Sequence, residues 1–327
     1  MLDRTDRERD GRGVNLLIGA VTIGLILSLL ALGVFLTYRI FGLLDVTTDG
    51  AFGVGAATAA ALLAHGWPPA AATAVGGWAG AMAGLVTGLV HTRFGVNALL
   101  AGILTTTALY SGNLYIMGGG DRSVAGVPTL FSRAEQVLAW LAPGAETLSL
   151  FGTPVVPRSV AALGLMLLIV PVVAWVLAMF FQTSLGLALR ATGDNPQMAR
   201  ALGVSVSGAI VVGLITANGL IGLSGALFAE YQGFANIQMG LGMIVTGLAS
   251  VIVGETLFGR RGIASRIGAV IIGTVLFRLL IAGAIRAGID PNALKLLTAA
   301  FVFLALVVPD AVRRRLRRAA AAEAGRG

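Results

Sequence analysis

Residues 14–41, VNLLIGAVTIGLILSLLALGVFLTYRIF, carry a single charge, Arg39, in a run of 28 residues. A helix crossing a bilayer needs about 20 largely apolar residues, so this run reads as a transmembrane span. The charged tail before it, MLDRTDRERDGRG at residues 1–13, resembles the n-region of a signal peptide. The apolar run is too long for one, and no small-residue cleavage site follows, so a retained span is expected. The pattern recurs at 51–64, 69–90, 96–117, 160–181, 206–229, 239–258, 267–285 and 294–308. The expectation is an all-α, polytopic membrane helix bundle of about nine transmembrane helices, with one or two broken helices and a short cytoplasmic coupling helix. The membrane part would occupy 14–309, and 310–327 would form a basic tail.

Composition agrees. The chain is 57% hydrophobic and 12% charged, whereas a soluble domain carries about a quarter charged residues. That excludes an ordinary soluble enzyme and a disordered chain. With no Cys, thiolate-held metals, iron–sulfur clusters and thiol chemistry are excluded. No cofactor or metal is expected, and the two His, His65 and His91, fall in loops on opposite sides. A net charge of +8 would suggest nucleic acid for a soluble protein. In a membrane protein it marks cytoplasmic loops instead, and no nucleic-acid partner is expected. Arg313, Arg314, Arg315, Arg317 and Arg318 place the C-terminus inside. Counting back puts Arg260, Arg261, Arg266, Arg190, Arg200, Arg93 and Arg39 inside, and the 118–158 loop outside. The N-terminal tail with Arg4, Arg7, Arg9 and Arg12 then falls outside, against the charge rule.

Gly76, Gly80, Gly84 and Gly88 recur every four residues, which puts them on one helix face. Gly219, Gly222 and Gly225 do the same at spacing three. Such stripes are expected to be packing faces that let helix backbones approach closely.

Two segments break the apolar pattern. Asp45-Val46-Thr47-Thr48-Asp49-Gly50 brings two carboxylates to the edge of a span, where charge is costly unless solvated or paired. It reads either as a broken helix lining a polar pathway, with Asp45, Thr47, Thr48 and Asp49 as its residues, or as an interfacial loop. Residues 232–240, QGFANIQMG with Asn236, form a possible counterpart before a Gly-rich span. Arg278 lies within an apolar run. It is expected to snorkel or to pair, for instance with a carboxylate of the Asp45 segment.

The 184–205 loop contains a bracketed helix. Asp194 or Asn195 can cap its start, Pro196 suits the first helical position, and Gly203 suits a left-handed stop. A helix over 196–202 is expected, with Gly193 before it. Ala199 and Leu202 would share a docking face with Arg200 beside them, or the segment is a well-capped interfacial helix and nothing more. GxxxxGK[ST] is absent, and the only Lys is Lys295, so the chain is not itself an ATPase. HExxH and GxSxG are absent too, which removes the usual membrane-protease signatures.

Residues 185–204, LGLALRATGDNPQMARALGV, closely resemble the cytoplasmic coupling loop of ATP-binding-cassette importer permeases of the branched-chain amino acid and ribose class. LLDVTTDGAFGVGA resembles the broken stretch after an early helix in that class, and VGETLFGRRG at 253–262 its later cytoplasmic turn. Residues 276–306 resemble an uncharacterised or aromatic amino acid subgroup. The resemblance covers about 15–310, and departs from the ribose type in lacking an additional N-terminal span. It implies a second permease subunit, with a homodimer preferred, in the cell membrane, two separate ATPase subunits that receive the 196–202 helix, and an extracellular solute-binding protein. It also implies a small polar solute, with an amino acid preferred. The rival is a self-sufficient, ion-coupled secondary transporter or channel with Asp45 and Asp49 as ion sites.

Overall fold

The computed structural model describes residues 2–141, 148–150, 153–258 and 262–290, and the isolated positions 293, 296, 298–300 and 303. Helix α1 spans Leu2–Val34 and runs on as a wider π-helical stretch, Phe35–Ile40. Its apolar residues face all directions, which requires burial on every side. Accordingly Ile26, Leu29, Leu30, Leu32 and Phe35 are fully buried, and α1 is the central post of the bundle.

Helices α2 (Thr47–Ala64), α3 (Pro69–Phe94) and α4 (Ala98–Met117) follow. Pro69 opens α3, where its missing N–H costs nothing. Gly95 and Gly118 close α3 and α4 with positive φ, a conformation other residues adopt at a cost. The segment after α4 carries strand β1 (Arg122–Ser123), helix α5 (Leu130–Leu141) and the hairpin β2 (Leu148–Leu150) and β3 (Thr153–Val155). Then come α6 (Pro157–Phe180), α7 (Ser184–Asp194), α8 (Pro196–Ala201) and α9 (Val206–Gln232). Strand β4 (Phe234–Ala235) pairs antiparallel with β1, and α10 (Met243–Phe258) and α11 (Ile263–Arg286) complete the described bundle.

Six of the described helices are long and apolar enough to cross a membrane, so the chain is a polytopic helical membrane protein. Helices α2 and α10, at the two sequence breaks, fall short of that measure. The expected ninth span at 294–308 and the basic tail lie outside the described residues, as do Arg260 and Arg261, so the described helices do not establish a count of nine. Three expectations need correction. The 118–158 segment is not a plain loop, because it contains α5 and short strands. The 184–205 loop holds a second helix, α7. The 1–13 tail is helical from Leu2 and continuous with α1.

The glycine stripes are packing faces. A Cβ on Gly80 would run into the backbone oxygen of Asn218, and one on Gly84 into that of Leu214. A Cβ on Gly222 would lie 2.8 Å from the Gly80 Cα. Helices α3 and α9 therefore touch backbone to backbone, with α2 against both through Gly55 and Gly225.

Candidate functional site: two broken helices and a capped inner loop

The chain leaves the π-helical end of α1 at Ile40, turns through Gly42 at φ +66°, and starts α2 at Thr47. Asp45 makes that start possible. Its Oδ1 accepts the Thr47 amide at 2.9 Å, satisfying one of the orphan donors of the first helical turn. Its Oδ2 accepts from Asn218 Nδ2 of α9 at 2.8 Å. Asp45 is 4% exposed, and a carboxylate so deep needs such partners.

Hydroxyls extend the network. Thr47 Oγ1 and Thr87 Oγ1 are 2.8 Å apart, and Thr87 donates to Thr105 Oγ1 at 2.9 Å. Thr48 Oγ1 donates to the Asp45 carbonyl, and Thr106 Oγ1 to the Val46 carbonyl at 3.0 Å. The break thus ties together α2, α3, α4 and α9. Gly102 lets α4 come close, since a Cβ there would lie 3.1 Å from the Val46 and Thr47 nitrogens.

Asp49 lies on the first turn of α2 and reaches the second break. Its Oδ2 accepts the Gly242 amide at 3.0 Å and its Oδ1 the Ile244 amide at 2.9 Å, which caps α10. Gly240 fits against it, because a Cβ there would strike the Asp49 carbonyl oxygen. The two segments that stood out in the sequence therefore meet in space. Asn236 does not join them. Its Nδ2 donates to Asp121 Oδ2 at 2.5 Å, and Asp121 Oδ1 accepts the Ile237 amide. It fastens the β1–β4 connection.

Arg278 is half-buried on α11. It does not pair with Asp45 or Asp49, because both carboxylates already hold backbone and amide donors. Its Cβ lies beside Gly24 of α1, and it lies within electrostatic reach of Tyr231.

Two acids that sequence reading passed over hold the ends of the bundle. At one end, Glu255 Oε1 accepts from Arg39 Nε at 2.9 Å and Arg266 Nη2 at 3.0 Å, with Arg266 stacked 5.0 Å from the Phe35 ring centroid. At the other end, fully buried Glu230 accepts the Leu130 amide at 2.7 Å and the Thr73 hydroxyl. A lone acid inside an apolar helix was the available signal in both cases.

Helix α8 is framed as its sequence suggests. The cap is Asn195, whose Oδ1 accepts the Gln197 and Met198 amides at 3.1 and 3.0 Å; Asp194 ends α7 instead. Gly203, at φ +83°, closes it in a paired motif, with Gly203 N donating to the Arg200 carbonyl and Val204 N to that of Ala199. The expected docking face is corrected. Ala199 is 0% exposed and packs inward, so it shares no outward face with Leu202. The outward apolar residues are Leu202 at 73% and Met198 at 51% exposure. The preceding helix seats on the first break. A Cβ on Gly193 would collide with the Ile40 carbonyl oxygen, and Phe41 in turn packs on Gly213 of α9.

Residues 16–307 match the family model described as the permease component of branched-chain amino acid transport systems. The chain is 35% identical over 283 residues to the tyrosine transport system permease protein of Clostridioides difficile (strain R20291), covering 86% of this chain and 88% of that protein. It is 32% identical over 297 residues to an uncharacterised protein of Rickettsia prowazekii (strain Madrid E), covering 90% and 97%. It is 30% identical over 256 residues to the autoinducer 2 import system permease protein LsrC of Escherichia coli O9:H4 (strain HS), covering 77% and 65%. No solved structure matches the chain.

Proposed function

The chain belongs to the permease-component family of branched-chain amino acid transport systems and is a permease subunit of an ATP-binding-cassette importer, and from that premise we propose that it carries an amino acid with an aromatic side chain across the cell membrane. A separate binding protein delivers the solute from outside, a second permease subunit completes the path, and ATP is hydrolysed on two further subunits below. The solute class follows the name of the tyrosine permease relative.

The observation that carries the coupling part is α8. A helix of six residues is too short to be stable alone, yet both ends are capped, and Leu202 and Met198 are left open to an occupant. An apolar pair on a rigid frame suits a cleft on an ATPase, with Arg200 at its edge. Pushing on this loop bears on Ile40 through Gly193, and so on the break that Asp45, Thr47 and Thr48 hold. In this reading Asp49 closes the junction between the α2 and α10 starts, and parting the two opens the route. Asn236 acts at the outer end of the same connection, and Arg278 is a structural charge of α11. Co-purification with a candidate ATPase tests the reading. Leu202→Asp is expected to lose the ATPase while the permease still inserts, and full recovery of the ATPase would contradict it.

A further inference from the structure

A cavity of about 650 Å³ opens on the outer side between α5, the start of α6 and the outer end of α9. Ser132, Glu135, Arg158, Glu230 and Phe234 are among its walls. Gln232, Gly233 and Phe234 at the start of the second break line it, but none of the residues of the Asp49 contact with Gly242 and Ile244 does, so it is distinct from the junction that Asp49 closes.

Its charges are unusual. Arg158 and Glu135 have opposite signs and line one cavity, yet neither makes an ion pair or hydrogen bond with any described residue. Glu230 lies behind the wall, fully buried, with its two oxygens held by the Leu130 amide and the Thr73 hydroxyl. Phe234, 43% exposed, gives an apolar wall. The capping pair at the start of α5 fixes the frame: Thr129 N donates to Ser132 Oγ at 2.8 Å, and Ser132 N to Thr129 Oγ1 at 3.1 Å.

We propose that this cavity is an outer receiving site for a zwitterionic amino acid, with Arg158 taking the carboxylate, Glu135 the ammonium, and Phe234 the side chain. A neutral solute would leave both signs unused. An anion would meet Glu135, and a simple cation would meet Arg158. Only a solute carrying both charges complements the two, and charge-assisted contacts to a carboxylate are the strong ones. The volume falls within the range of about 300–1,000 Å³ usual for small-molecule sites. The inference rests on the importer reading above.

The test uses the full importer in nanodiscs without its binding protein. L-tyrosine binding is compared with tyramine, which lacks the carboxylate, and with 3-(4-hydroxyphenyl)propionate, which lacks the ammonium. Wild type is expected to favour L-tyrosine over each analogue by about tenfold. Arg158→Gln should abolish the preference over tyramine alone, and Glu135→Gln the preference over the propionate alone. Equal binding of all three probes by wild type, or full selectivity in both variants, overturns the site. Uptake of L-tyrosine by the wild-type importer with its binding protein separates the two claims. Uptake without selectivity at the cavity removes the receiving site only, whereas no uptake removes the solute reading itself.

Discussion

The Asp49 carboxylate accepts the amide of Ile244 at 2.9 Å across 195 residues of sequence, so one acid closes both helix breaks. The start of α10 presents free amides and the positive end of its dipole, and Asp49 answers both. The link is local in space and easily exchanged for water or solute, which suits a junction that must part.

Asp49→Asn keeps an acceptor at the same place and removes the charge. The variant is expected to insert and to assemble with its partners, with uptake clearly reduced. Asp49→Ala also loses the cap, at a cost of about 0.5–2 kcal/mol. Thermal unfolding of the purified importer should rank wild type above Asn above Ala.

Gly193→Ala tests the contact between the inner loop and the first break. The new methyl meets the Ile40 carbonyl oxygen, and such overpacking costs about 1–3 kcal/mol. ATPase binding through Leu202 and Met198 should survive. Solute-stimulated hydrolysis and uptake should both fall, and unchanged values would show that α7 does not act on the break.

Glu255→Gln removes the charge between Arg39 and Arg266 and leaves two cations close together where the continuation of α1 meets the start of α11. These helix ends should loosen. Because the chain has no Cys, a single Cys introduced at Thr37, which is buried, reports this without background. Its labelling by a water-soluble maleimide is expected to rise severalfold in the Gln variant.

Gly84→Val places a branched side chain where α3 and α9 touch backbone to backbone. The pair cannot separate without losing the packing that holds the bundle, so little folded protein should be recovered in detergent. Gly112→Val, at a glycine with open space around it, should fold as wild type.

The spans, the glycine stripes and the caps of α8 were legible because each depends on neighbours within one or two turns. Asn195, Pro196 and Gly203 carry their conformational preferences with them. Helix α5 was missed: Thr129 and Ser132 stand before an amphipathic run, but its charged setting reads as loop. Helix α7 hid because Gly186 and Gly193 lower helix propensity; both are there for close contacts, with Phe180 and Ile40. The partners of Asp45, Asp49 and Glu255 come from helices far away in sequence, and no local pattern points to Asn218 or Ile244. The burial of Ala199 was hidden for the same reason. A three-residue spacing to Leu202 says they are near each other, not which one is buried.

The central claim is that ATP hydrolysis on a separate subunit drives solute through this chain. The direct measurement is uptake of labelled L-tyrosine into proteoliposomes that hold the permease, its ATPase and its binding protein. Uptake should require ATP on the ATPase side, should vanish when Leu202→Asp replaces the wild-type permease, and should be indifferent to an imposed sodium or proton gradient. Uptake by the permease alone, driven by such a gradient, would contradict the account.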